Sequence, residues 1–218
     1  MNSLTKKIVA LVATLGLLYI AYYGSWLPLQ KSEAFIDGLK KLSAVQNIEQ
    51  FEALFDSIFT RKSPIGDEEL VRNFVGISGT LISNATDPAL VARVVQYVDK
   101  YYQPIVKQGK GMSYTQNLYA LGRFYQIAFL RTQDPHYIQV AIQYYREGER
   151  LSPNRPQFLY GLFDMYRLTG DVTGVEEVSK KILTLWPSDT RINQALVEFA
   201  DRVKAFEAQQ KAAGKSAN

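Results

Sequence analysis

The chain has 218 residues, of which 47% are hydrophobic and 21% charged, with a formal net charge of +4 at neutral pH. That is enough apolar material for a sizeable core and excludes a disordered chain, while the small positive excess, shared with Lys6 and Lys7 at the N-terminus, is too thin for a nucleic-acid footprint. Cysteine is absent and histidine occurs once, at His136, which excludes disulfides, thiolate nucleophiles and histidine or cysteine metal cages.

From Ile8 to Gln30 no residue is charged. Residues 8–27, IVALVATLGLLYIAYYGSWL, rise about 30 Å as a helix, the hydrocarbon thickness of a bilayer. Tyr19, Tyr22, Tyr23 and Trp26 crowd one end, where amphipathic rings favour the headgroup layer, and Pro28 is expected to mark the exit. Lys6 and Lys7 flank the other end. The positive-inside rule then expects a single-pass cytoplasmic (inner) membrane protein, N-terminus inside and soluble domain extracytoplasmic, although Lys31, Lys40 and Lys41 work against that orientation. A cleaved signal peptide calls for a shorter apolar region and a small-x-small site, which SWLPLQ does not supply.

Beyond the anchor, strand signals are nearly absent and helix starts recur. Asn47, with Gln50 three residues on, caps a stripe of Ile48, Phe51, Leu54, Phe55 and Ile58. Gly66-Asp67 opens a run carrying Leu70, Phe74, Ile77 and Leu81. Asp87-Pro88 and Asp134-Pro135 each place an acceptor at a cap and proline in the first turn, and Ser113 with Gln116 forms another capping box. Glycine and proline cluster between these runs, as short-looped helical hairpins require. Ile192, Leu196, Phe199, Val203 and Phe206 share one face of a final helix, after which QKAAGKSAN is expected to fray. The expected organisation is a cytoplasmic stub and anchor over 1–29, degenerate helical hairpins over 30–112, two repeats over 113–188, a capping helix over 189–207 and a flexible tail over 208–218.

Two internal repeats underlie that division. Gln116, Leu118, Tyr119, Leu121 and Tyr125 align in register with Gln157, Leu159, Tyr160, Leu162 and Tyr166. Asp87-Pro88, Val91, Val95, Gln96 and Tyr97 echo Asp134-Pro135, Ile138, Ile142, Gln143 and Tyr144. Pro153 and Pro187 lie thirty-four residues apart.

On these residues the chain resembles tetratricopeptide repeat proteins. In 156–189, Leu159, Leu162 and Tyr166 fill first-helix positions, Gly170-Asp171 the turn and Pro187 the closing proline. In the preceding unit Leu118, Leu121, Gly122 and Tyr125 fit the first helix and Ala141, Tyr145, Gly148 and Pro153 the second, with about two extra turns between them. Phe163, Val175, Ser179 and Ile182 depart from the family pattern, which implies looser or shifted packing in the later unit. The resemblance implies an all-α fold, an N-terminal transmembrane helix followed by a right-handed α-solenoid of TPR-like hairpins. A weaker likeness, carried by Tyr22 to Gln30 and Pro153 to Asp189, is to the C-terminal part of O-antigen ligase and polymerase family membrane proteins. Their many-helix catalytic portion has no counterpart in this chain, so no catalytic residue carries over.

The first resemblance places ligand contacts on exposed positions of the first helices: Gln116, Tyr119, Arg123 and Gln126, then Gln157, Tyr160, Asp164 and Arg167. Tyrosine and arginine bring large contact area with directed hydrogen bonds; the bland alternative is a solvated face or tyrosines packed between hairpins. His136, in a first turn with no nucleophile placed beside it, reads as an exposed histidine, and Glu68-Glu69 and Glu176-Glu177 as solvated acids near helix starts. Gly109-Lys110-Gly111 lacks phosphate-loop spacing and reads as a turn. The expected protein is therefore no enzyme, without cofactor or metal. It binds a protein or peptide on its concave face and contacts lipid through residues 8–27, its self-association left open. The alternative is an accessory part of an O-antigen ligase-like system for envelope glycan assembly.

Overall fold

The computed structural model describes residues 2–111 and 113–216, and no strand occurs among them. The helices are α1 (Ser3–Ala21), α2 (Leu27–Lys41), α3 (Ile48–Phe59), α4 (Asp67–Ser83), α5 (Pro88–Gln108), α6 (Tyr114–Thr132), α7 (Pro135–Leu151), α8 (Pro156–Thr169), α9 (Val172–Leu185) and α10 (Thr190–Ser216). They form two compact units, Met1–Tyr114 and Thr115–Asn218.

The N-terminal helix is long and apolar enough to cross a membrane, and none of its most apolar stretch is buried. It does not end at Pro28 as expected. A π-helical turn over Tyr22–Trp26 joins α1 to α2, so that helical structure continues from Ser3 to Ala44, 42 residues. Proline in a regular helix lacks an N–H and collides with the carbonyl four residues back. Here the N–H of Leu27 reaches the carbonyl of Tyr22, five residues back, and the widened turn accommodates the ring that follows.

Beyond that turn, α2 is part of the first unit's core. Lys31, Phe35 and Gly38 share one face. A Cβ on Gly38 would lie 2.6 Å from Cδ1 of Ile58, so the backbone of α2 comes close to α3. The ring of Phe35 lies 6.4 Å from that of Phe55. Lys31 is 5% exposed, and its ammonium is ion-paired with the exposed Asp67 in the first turn of α4. Phe51, Phe55 and Phe74 form the centre of the unit, with Phe55 and Phe74 rings 4.7 Å apart and Tyr97 edge-on to Phe74.

The caps read from the sequence hold these helices in place. The Asn47 side chain accepts from the Gln50 N–H at 2.9 Å, and Gln50 accepts in return from the N–H of Gln46. Asp87 and Asp134 accept from the N–H groups of Ala89 and His136 at 2.9 and 2.8 Å, so the two Asp-Pro pairs occupy equivalent positions on α5 and α7.

In the second unit each helix from α7 to α10 packs against the next. The repeated leucines and tyrosines occupy repeated environments: Leu118, Leu121 and Tyr125 on α6 are buried, as are Leu159, Leu162 and Tyr166 on α8. Glycines admit aromatic rings between the helices. Tyr145 of α7, fully buried, rests against both Gly122 and Gly161, and a Cβ at Gly161 would lie 2.7 to 2.8 Å from three of its ring atoms. Phe158 packs on Gly148, and Tyr166 on Gly174. Phe163, Val175, Ser179 and Ile182, around which looser or shifted packing is expected, are all at most 4% exposed, with close helix approach supplied at Gly161 and Gly174.

The last helix also outruns its expected end. It continues past Ala208 through QKAAGKS to Ser216, a stretch of mostly helix-favouring residues with no proline to stop it. The final two residues of the expected tail lie outside the described residues.

Candidate functional site

Spacing of three and four residues places Tyr119, Arg123 and Gln126 on one face of α6, and Gln157, Tyr160, Asp164 and Arg167 on one face of α8. The second unit brings these seven together along a single groove of about 370 Å³. Gln116 is exposed one turn ahead of Tyr119 and does not line it. Tyr145 reaches the groove between the two helices, and its hydroxyl donates to Oε1 of Gln126 at 3.1 Å. Burial raises the Tyr145 phenol well above its usual value, so it stays a neutral donor.

Residues that sequence reasoning missed come from α10. Arg191, Ile192 and Ala195 close one side of the groove. Arg191 lies over the ring of Tyr160, 5.3 Å from its centroid, with Nε 3.9 Å from the Asp189 carboxylate. The Tyr160 hydroxyl donates to Asp189, and its ring stacks on Trp186. Partial burial, and then the Asp189 carboxylate, raise the Tyr160 phenol; that same hydrogen bond lowers the Asp189 carboxyl. A smaller adjoining recess of about 250 Å³ shares Gln126, Asp164 and Arg167 and adds Leu130, Leu168 and Arg202.

The charged groups of the groove are poorly matched. Asp164 is about half exposed, 54% by side chain, and Arg167 stands 3.9 Å from it, at the outer limit of an ion pair. Withdrawal from water between the groove walls raises the Asp164 carboxyl, with Arg167 and Arg123 pulling the other way. The guanidinium of Arg167 lies over Phe163 at 5.4 Å, and its Nε is buried with no hydrogen-bond partner.

The remaining candidates do not assemble a second site. His136 is exposed, its backbone N–H capping α7 through Asp134, with the neighbouring Tyr137 ring 5.9 Å away. Glu69 pairs with Arg72 and Glu177 with Lys181 on their own helices. Among the described residues no group of three or more histidine, cysteine, aspartate or glutamate side chains could hold a metal ion.

The class of protein defined so far is coarse: an all-helical chain with one apolar N-terminal helix of membrane-spanning length and a polar, tyrosine-walled groove in its second unit. Comparison with known protein families, with curated proteins and with solved structures finds no match.

Proposed function

We propose that this chain is a single-pass membrane protein whose tetratricopeptide-like second unit binds a protein or peptide partner in the groove between α6 and α8, and so scaffolds an assembly at the outer face of the cytoplasmic membrane. The observation that carries the reading is the shared groove. Seven positions on two repeated helices, chosen by their place in the repeat, converge on one surface presenting tyrosine, arginine and glutamine. Tyrosine and arginine are enriched at binding hot spots because they combine large contact area with directed hydrogen bonds. The exposed apolar run of α1, preceded by Lys6 and Lys7 near the start of that helix, supports the anchor and its orientation.

The test is site-specific photo-crosslinking in intact cells. A benzophenone amino acid at Tyr119 or Tyr160 is expected to give a discrete heteromeric adduct, and the same probe at the exposed Lys180 on α9 none. Absence of adducts from the groove, or the same adducts from Lys180, would overturn the assignment. Protease added to intact spheroplasts tests the orientation: the part beyond α1 should be digested, and protection until lysis reverses it.

A further inference from the structure

We propose that the groove takes an acidic stretch of extended polypeptide, with Arg123, Arg167, Arg191 and Arg202 as its anion receptors. This rests on the protein-binding reading above and names the chemistry of the partner. The whole chain carries a formal excess of +4, yet four arginines line the groove and its adjoining recess against one carboxylate, Asp164. Even counting the Asp189 carboxylate that faces Arg191, arginines outnumber carboxylates at this surface by four to two.

These arginines are available. Arg123 and Arg202 make no ion pair among the described residues. Arg167 reaches Asp164 only at 3.9 Å, at the outer limit of an ion pair, which leaves its terminal nitrogens weakly engaged. Arg191 faces Asp189 at the same 3.9 Å, and that carboxylate is already engaged by the Tyr160 hydroxyl. A guanidinium binds a carboxylate through two parallel N–H donors, stronger than a neutral hydrogen bond.

The other groups favour polypeptide over a bare anion. The amide of Gln157 offers a donor and an acceptor and that of Gln126 a donor, as an extended main chain requires, and Tyr119 adds aromatic surface for intervening side chains. Asp164 is the one lining carboxylate that repels such a ligand, and Asp189, behind Tyr160 and Arg191, is held by the Tyr160 hydroxyl.

The test uses the full-length chain in detergent micelles and fluorescence anisotropy with a labelled decapeptide alternating glutamate and leucine. Saturable binding at low salt is expected, weaker by about tenfold or more when glutamine replaces glutamate in the peptide. Arg123→Gln and Arg202→Gln should each weaken binding about tenfold, and Asp164→Asn should strengthen it several-fold, a sign that a merely structural role for Asp164 would not produce. Equal affinity for the two peptides, or Asp164→Asn weakening binding while circular dichroism stays native, overturns the proposal. So does displacement of the peptide by an oligogalacturonate at lower concentration than by unlabelled peptide, which would make an anionic glycan the occupant. The in-cell crosslinks separate the two levels. A partner captured through a neutral or basic segment overturns the acidic-peptide chemistry and leaves the protein-binding reading intact; no captured partner removes both.

Discussion

Gly161→Ala puts the packing of the second unit to a quantitative test. In an isolated helix this change is favourable by about 1 kcal/mol, because glycine loses more backbone freedom on folding. In this protein the new methyl would lie 2.7 Å from Cζ and 2.8 Å from both Cε atoms of Tyr145. That ring has little room to shift: it is fully buried, rests on Gly122 as well, and is tied through its hydroxyl to Gln126. Overpacking of this kind costs about 1–3 kcal/mol, and with the ring already in close contact with two glycine backbones the upper half of that range applies. The net expectation is a loss of about 1–2 kcal/mol, lowering the melting temperature of a unit of this size by at least about 4 °C. Gly76→Ala provides the control, since a Cβ there meets nothing within 4 Å and the helix gain should appear unopposed as a rise of a few degrees. Thermal denaturation followed by circular dichroism reads both. A Gly161→Ala protein that melts as high as, or higher than, the parent would show that Tyr145 is not wedged between α6 and α8, and the reasoning about the groove floor would fail with it.

Other expectations concern the first unit. Lys31→Met keeps the volume and removes a buried charge, so it should change stability by less than about 1 kcal/mol, whereas Asp67→Ala strands the charge of a lysine whose side chain is only 6% exposed and should cost clearly more; equal effects in chemical denaturation would refute a buried lysine held by the exposed Asp67 carboxylate. Asp56 accepts from Tyr97, Lys100 and Tyr101; burial opposes its ionisation, but these hydrogen bonds prevail and hold its carboxyl below its ordinary 3.8. A carboxyl depressed in the folded state contributes stability above its unfolded value and loses it as pH falls through the folded one, so melting temperature should hold at neutral pH and fall below about pH 4. Asp56→Asn should lower stability at neutral pH and flatten that acid slope, and an unchanged slope would remove Asp56 as its source. His136→Ala should leave folding and peptide binding unchanged, as befits an exposed ring; a loss of binding would place His136 in a site the groove does not include.

Much of this protein was legible locally. The uncharged apolar run of α1, the caps at Asn47, Asp87 and Asp134, and the glycine and proline breaks are each decided within a few residues, because helix start, stop and amphipathic period depend on neighbours in the chain. The face shared by Tyr119, Arg123 and Gln126, and its echo on α8, was readable for the same reason. What only tertiary structure decided involves partners far apart in sequence: Lys31 meeting Asp67 across 36 residues, Tyr145 seated between Gly122 and Gly161, and Arg191 and Arg202 brought from the last helix to a groove begun by α6. The continuation through Pro28 belongs here too, since α2 is held against α3 and α4 by Gly38 and the Lys31 pair. A side chain's periodicity tells which way it faces on its own helix, and the identity of what it faces is set by the packing of the others.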